Sequence, residues 1–144
     1  MKKILIINGP NLNLLGSREP NIYGNKTLGE IEEECKNEFK NIKIIFAQSN
    51  SEGEIIEFIH NSSDYSGIII NAGAFTHTSI AIHDALKAVT LPKVEVHISN
   101  IYSREDFRKK SFISPVVDGI IAGFGTSVYK LAITSLVYKN DKDR

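Results

Sequence analysis

The chain has 144 residues, of which 17 are basic, 17 are acidic, 42% are hydrophobic and one is cysteine. A chain of that length fits one ordinary domain and buries roughly 70% of its unfolded surface, so it needs no disulfide or metal staple. Balanced charge gives no overall pull toward nucleic acid or membrane, a lone Cys35 excludes an internal disulfide and favours a reducing compartment, and no stretch reaches the ~20 apolar residues of a membrane span.

Ile4–Ile7 is a continuous apolar run, the pattern of a strand buried on both faces, and it is too short for the core of a signal peptide. The expected location is the cytoplasm. The loop from Gly9 to Gly24 is long for a strand-to-helix connection, which usually takes ~2–6 residues. It is either a lid over a ligand or an irregular surface loop. Leu28, Ile31, Cys35 and Phe39 then share one helix face, and Thr27 and Glu30 have the spacing of a capping box. Ile42–Phe46 is the second strand. Ser51 and Glu54 repeat the capping spacing ahead of a helix that buries Ile55, Ile56 and Ile59. Ile68–Ile70 is the third strand. A third helix is expected from about Ser79 to Ala88, capped by Ser79 or Thr78 and stopped by Leu91-Pro92. Val94–Ile98 is the fourth strand, and the polar crossover behind it predicts only a short helix near Glu105–Lys109. Ile120–Phe124 is the fifth strand. A last helix starts near Thr126 and buries Leu131, Leu136 and Val137, and residues 139–144 are expected to form a loose charged tail. No linker or repeat divides residues 1–144, which are expected to be a single domain.

Strands and helices alternate. Right-handed crossovers therefore give an α/β, doubly wound, five-stranded parallel sheet, with the flavodoxin-like order 2-1-3-4-5 expected. In such a sheet the ligand sits beyond the carboxyl ends of the strands, at the switch between strands 1 and 3. The loops after Asn8, Ile70 and Val96 should meet there.

The first of these loops has neither a Walker A lysine nor G-x-G-x-x-G, and only Ser17 would serve a flavin phosphate. A phospho-receiver would need acids where Asn8 and Asn71 stand. Arg18 and Tyr23 are the loaded pair: a free phenol titrates near ~10, and a close guanidinium favours the phenolate, which makes a base. The alternative is a surface arginine and a packed tyrosine. In the second loop, Asn71 offers both donor and acceptor, Gly73 permits close backbone approach, and His77 lies in a polar turn. In the fourth strand, period-two alternation places Glu95 and His97 on one side. They form either a structural hydrogen bond or an oriented general acid. Backbone N–H groups of Ile98 and Ser99 are suited to a carboxylate, and one of Arg104 and Arg108, four residues apart, is suited to an anion. His60, His77, His83 and His97 show no metal-binding spacing, and His83 reads as a helix-surface residue. Lys93 lies at the wrong end of the sheet for Schiff-base chemistry.

Asn8-Gly9-Pro10-Asn11-Leu12, then Leu15-Gly16-Ser17-Arg18-Glu19-Pro20 and Tyr23-Gly24, resemble the signature of type II 3-dehydroquinate dehydratases. The segments Asn71–Ser79, Glu95–Asn100 and Arg104–Arg108 resemble the family's later motifs, and the likeness covers nearly all of the chain short of the tail. One departure is Ala72, where the family often has proline; a small change in turn rigidity is expected. The resemblance implies a cofactor-free and metal-free hydro-lyase of the shikimate pathway, converting 3-dehydroquinate to 3-dehydroshikimate by anti elimination through an enolate. It implies that Tyr23 is the proton acceptor and that Arg18 stabilises the transition state. It further implies that His97 is the proton donor oriented by Glu95, and that Asn11 positions a water. Substrate contacts implied in the same way are Asn71, His77, Asp84, Ile98, Ser99 and Arg108, with Asp84 reaching a neighbouring subunit's site in a homododecamer of trimers. Neither nucleic acid nor membrane is an expected partner.

Overall fold

Five parallel strands, β1 (Lys2–Asn8), β2 (Ile42–Gln48), β3 (Gly67–Asn71), β4 (Lys93–His97) and β5 (Gly119–Ala122), form one sheet in the order β2-β1-β3-β4-β5. This is the expected 2-1-3-4-5 arrangement. The structure is a computed structural model that describes residues 2–142. Its helices are α1 (Pro20–Tyr23), α2 (Leu28–Glu38), α3 (Glu52–His60), α4 (Ile80–Ala88) and α5 (Ser127–Lys142).

The apolar strand runs are continuous because both sheet faces are covered. Ile4 and Ile6 join one core with Ile31 and Cys35 of α2 and with Val128, Tyr129, Ala132, Ile133 and Leu136 of α5. Leu5 and Ile7, pointing the other way, join a second core with Ile55 and Ile59 of α3 and Ile82 and Leu86 of α4. Each helix start is set locally. The Thr27 side chain accepts from Glu30 N while Glu30 reaches back to Thr27 N, a full capping box. Ser51 and Ser79 cap α3 and α4, so Ser79, not Thr78, fills that role.

Four expectations change. Leu131 is 45% exposed and Val137 only partly buried, because α5 turns the face with Val128, Tyr129, Ala132, Ile133 and Leu136 inward. So many α5 residues are apolar that periodicity alone admits more than one buried face. The helix also runs through 139–142, where a loose tail was expected, since no Gly or Pro stops it there; residues 143 and 144 lie outside the described residues. Strand β5 ends at Ala122 because Gly123 takes a left-handed φ of 94°, which turns Phe124 out to 67% exposure. Behind β4 the chain forms 3-10 turns at Ile101–Ser103, Asp106–Arg108 and Ser114–Val116 in place of a short α-helix. Short 3-10 pieces of this kind suit a polar connector without an apolar stripe.

Candidate active site

Register places Asn8 beside Asn71, at the carboxyl ends of the central strands β1 and β3. The loops that follow touch backbone to backbone: Gly9 N donates to Asn71 O at 2.8 Å, and a Cβ on Gly9 would stand 2.3 Å from Ala72 O. Only glycine permits that approach. Asn11, at a left-handed φ of 68°, and Gly73, at 59°, bend the two loops around a common cavity.

The cavity has a volume of about 210 Å³. The first loop lines it with Asn11, Arg18 and Tyr23, and the second with Asn71 and His77. Strand β4 and the segment after it add His97, Ile98, Ser99, Arg104 and Arg108. Nine of the sequence-derived site residues therefore border one space. Glu95 stands behind His97. Asp84 does not line this cavity: it sits on α4 with its side chain 71% exposed, bonded to the neighbouring His83.

Two positive groups lie over the Tyr23 ring. The guanidinium carbons of Arg18 and Arg104 lie 5.0 and 5.3 Å from the Tyr23 ring centre. Both distances are within cation–π range. Arg104 Nη1 also donates to Ser99 Oγ at 3.2 Å. Its Nε is buried without a hydrogen-bond partner among the described residues, and Glu105 comes no nearer than 3.8 Å. An unsatisfied buried cationic donor beside a cavity suits an anionic ligand. Arg108 is held by Glu105 at 3.1 Å.

Across the site, His97 Nε2 meets Glu95 Oε2 at 2.5 Å. Glu95 has no exposed surface, and Ser111 donates to it at 2.9 Å while Ser114 makes a second, shorter bond. Burial pushes the Glu95 carboxyl up, but the bond and charge of His97 together with the two serine bonds outweigh it and hold the group below its ordinary range. An ionised Glu95 makes Nε2 of His97 the donor and leaves Nδ1 for a ligand. His77 Nδ1 meets Lys110 O at 2.7 Å. A carbonyl can only accept, so Nδ1 carries the proton. Burial lowers the His77 pKa, opposed by the Lys110 carbonyl and assisted by the His97 and Arg108 charges. The neutral ring therefore offers Nε2 as an acceptor.

Under the floor lies a buried polar chain. Tyr129 Oη donates to Asn8 Oδ1 at 2.7 Å and accepts from Asn71 Nδ2 at 3.1 Å. Sequence reasoning left out Tyr129, Ser111 and Ser114, and weighed Arg104 equally with Arg108 before keeping only the latter. For Arg104 the four-residue spacing was the available signal; the other three carried none. Ala72, the departure from the usual proline, has a φ of −74°, close to the value proline imposes.

The chain matches the family model described as dehydroquinase class II over residues 2–137. It is 58% identical to a 3-dehydroquinate dehydratase of Prochlorococcus marinus (strain MIT 9215), across 99% of this chain and 100% of that protein. A 3-dehydroquinate dehydratase of Sinorhizobium medicae is 51% identical across 98% and 97%. The crystal structure of the type II dehydroquinase from Butyrivibrio crossotus superposes with a TM-score of 0.92 at 48% identity, covering 94% of this chain and 97% of that one.

Proposed function

The chain belongs to the class II dehydroquinase family, and on that footing we propose that it removes water from 3-dehydroquinate by anti elimination through an enolate, giving 3-dehydroshikimate in the shikimate pathway. The observation that carries this reading is a phenol with two guanidiniums close to its ring and an imidazole backed by a buried carboxylate, both on one cavity of about 210 Å³. Tyr23 takes the proton from carbon 2 as a phenolate whose charge Arg18 and Arg104 offset. Electrons then move onto the ketone oxygen. Fixed donors there, with a water held by Asn11, stabilise the enolate, a contribution commonly about 3–4 kcal/mol per donor. His97, its Nε2 occupied by Glu95, delivers a proton from Nδ1 to the departing carbon 1 hydroxyl. The carboxylate of the substrate meets the backbone N–H groups of Ile98 and Ser99, while Arg108, His77 and Asn71 hold the ring substituents. Acid, base and fixed charge supply the whole reaction, so the scheme uses no metal, cofactor or Schiff base.

Asp84 is exposed and does not line its own cavity, which fits a contribution to a neighbouring subunit in a homo-oligomer, the dodecamer of trimers expected by resemblance. Cys35 is buried and free, which fits the reducing cytoplasm. Among the described residues no helix is long and apolar enough to cross a membrane.

The test is an ultraviolet assay of the purified protein with 3-dehydroquinate, following the conjugated enone. The wild type should produce it, Tyr23→Phe should lose at least about a hundredfold in kcat, and borohydride with substrate should leave activity intact. No enone from folded wild type, near-normal turnover by Tyr23→Phe, or borohydride inactivation would each overturn the scheme.

A further inference from the structure

We infer that Tyr129 is a positioning residue for substrate binding: its hydroxyl is the second anchor that holds the Asn71 amide at the cavity, in the sense the Gly73 N–H imposes. The inference rests on the reading of Asn71 as a substrate contact. It begins with two backbone groups that cannot change sense. Ala47 O can only accept, and Asn8 Nδ2 donates to it at 3.2 Å, so Asn8 must turn Oδ1 toward Tyr129. Gly73 N can only donate, and it reaches Asn71 Oδ1 at 3.3 Å, so Asn71 must turn Nδ2 toward Tyr129. Between them stands the one group that can rotate. The Tyr129 hydroxyl is compelled to donate to Asn8 at 2.7 Å and accept from Asn71 at 3.1 Å.

All three side chains are sealed from solvent: Asn8 and Tyr129 have no exposed surface and Asn71 has 4%. Water is therefore not at hand to replace a missing link, and reversing either amide would set donor against donor or acceptor against acceptor. The relay reaches the cavity only through Asn71, which lines it. Without the hydroxyl, Asn8 Oδ1 and Asn71 Nδ2 are left unpaired side by side, since the two residues are partners in the β1–β3 register. The shortest way to pair them again is for the Asn71 amide to swing toward Asn8 and withdraw from the cavity. Tyr129, on the inward face of α5 and outside the cavity lining, would thereby tune a substrate contact it never makes itself.

The test is steady-state kinetics of the intact protein with 3-dehydroquinate, well below the unfolding midpoint of each variant. Tyr129→Phe should raise KM about tenfold, the loss expected for one misdirected hydrogen bond, while kcat stays within about threefold because Asn71 serves ground and transition states alike. In an Asn71→Ala background the same change should move KM by less than about twofold. A purely structural tyrosine would lower the melting temperature and leave KM alone. Should Tyr129→Phe fail to fold, Asn8→Ala keeps the ring in the core and should also raise KM, because the buried hydroxyl, left without its acceptor, competes with Gly73 N for Asn71 Oδ1. An unchanged KM in a folded variant, or an equal rise without Asn71, would overturn the inference. Wild type inactive in the same assay would instead overturn the function proposed above.

Discussion

Glu95 is a carboxylate with no exposed surface, and such a charge persists only where fixed donors replace its water. Here the donors are His97, Ser111 and Ser114. Burial raises its pKa, the donors lower it further, and the balance is a depression from 4.5. His77 is also depressed, from 6.5, first by burial and then by the positive charges near it. Each depressed group contributes stability that is complete above its unfolded pKa and is lost as pH falls through the folded value. For His77 the loss begins below about pH 6.5, and for Glu95 below about pH 4.5. The urea midpoint at fixed protein concentration should accordingly be level at neutral pH and decline in two stages on acidification. His77→Gln should remove the first stage and leave the second. Glu95→Gln should do the reverse, and should lower kcat as His97 loses its orienting partner. A wild-type midpoint that rises on acidification would show the sign to be wrong.

At the scale of elements, the site depends on how closely the loops after β1 and β3 approach. Gly9 touches the Ala72 carbonyl, and the nearest contact of an added Cβ, 2.3 Å, is to backbone that has no rotamer to escape into. Gly9→Ala should force those loops apart, costing about 1–3 kcal/mol as overpacking does. It should also cut kcat/KM by at least about tenfold, because it displaces Asn11 and Asn71 together. Urea melts and kinetics on one preparation would check both, and full activity would show that the loops need not touch. This contact was legible in sequence only as a glycine after a strand. The sheet itself was far more legible. Ile4–Ile7 and Ile68–Ile70 are unbroken apolar runs because helices cover both faces, Val94–Ile98 alternates apolar residues with the site pair Glu95 and His97, and Thr27, Ser51 and Ser79 announce their helices by short-range capping. The inward face of α5 was not legible, because Leu131 is as apolar as the residues that are buried. The supports of the site were hidden for a different reason. Ser111 and Ser114 meet Glu95 across 16 and 19 residues, and Tyr129 meets Asn8 across 121. Hydrogen bonds of such separation leave no periodic trace.

For the molecule as a whole, Asp84 stands apart from the other site residues. Nine of the sequence-derived residues line the cavity and Glu95 backs it, whereas Asp84 stands on the outer surface of α4, one turn beyond Ile80, itself 59% exposed. An exposed aspartate beside an exposed isoleucine, neither of them lining its own cavity, offers a surface open to a second copy. If Asp84 completes a neighbour's site, each cavity contains residues from two chains, and an inactive variant of one kind can repair an inactive variant of the other. Asp84→Ala has an intact Tyr23 but gives its neighbour nothing; Tyr23→Phe has a dead cavity but still supplies Asp84. Each alone should be weak, Asp84→Ala by about tenfold in kcat/KM, the cost of one charged hydrogen bond. Mixed, dissociated in mild denaturant and reassembled, the two should recover activity well above the mean of the separate preparations, because some Asp84→Ala cavities now face a Tyr23→Phe neighbour. A mixture that never exceeds that mean would place Asp84 outside any shared site. Sedimentation of the same mixture would tell that outcome from a failure to assemble, since hybrid formation requires the reassembled particle to match the wild-type size.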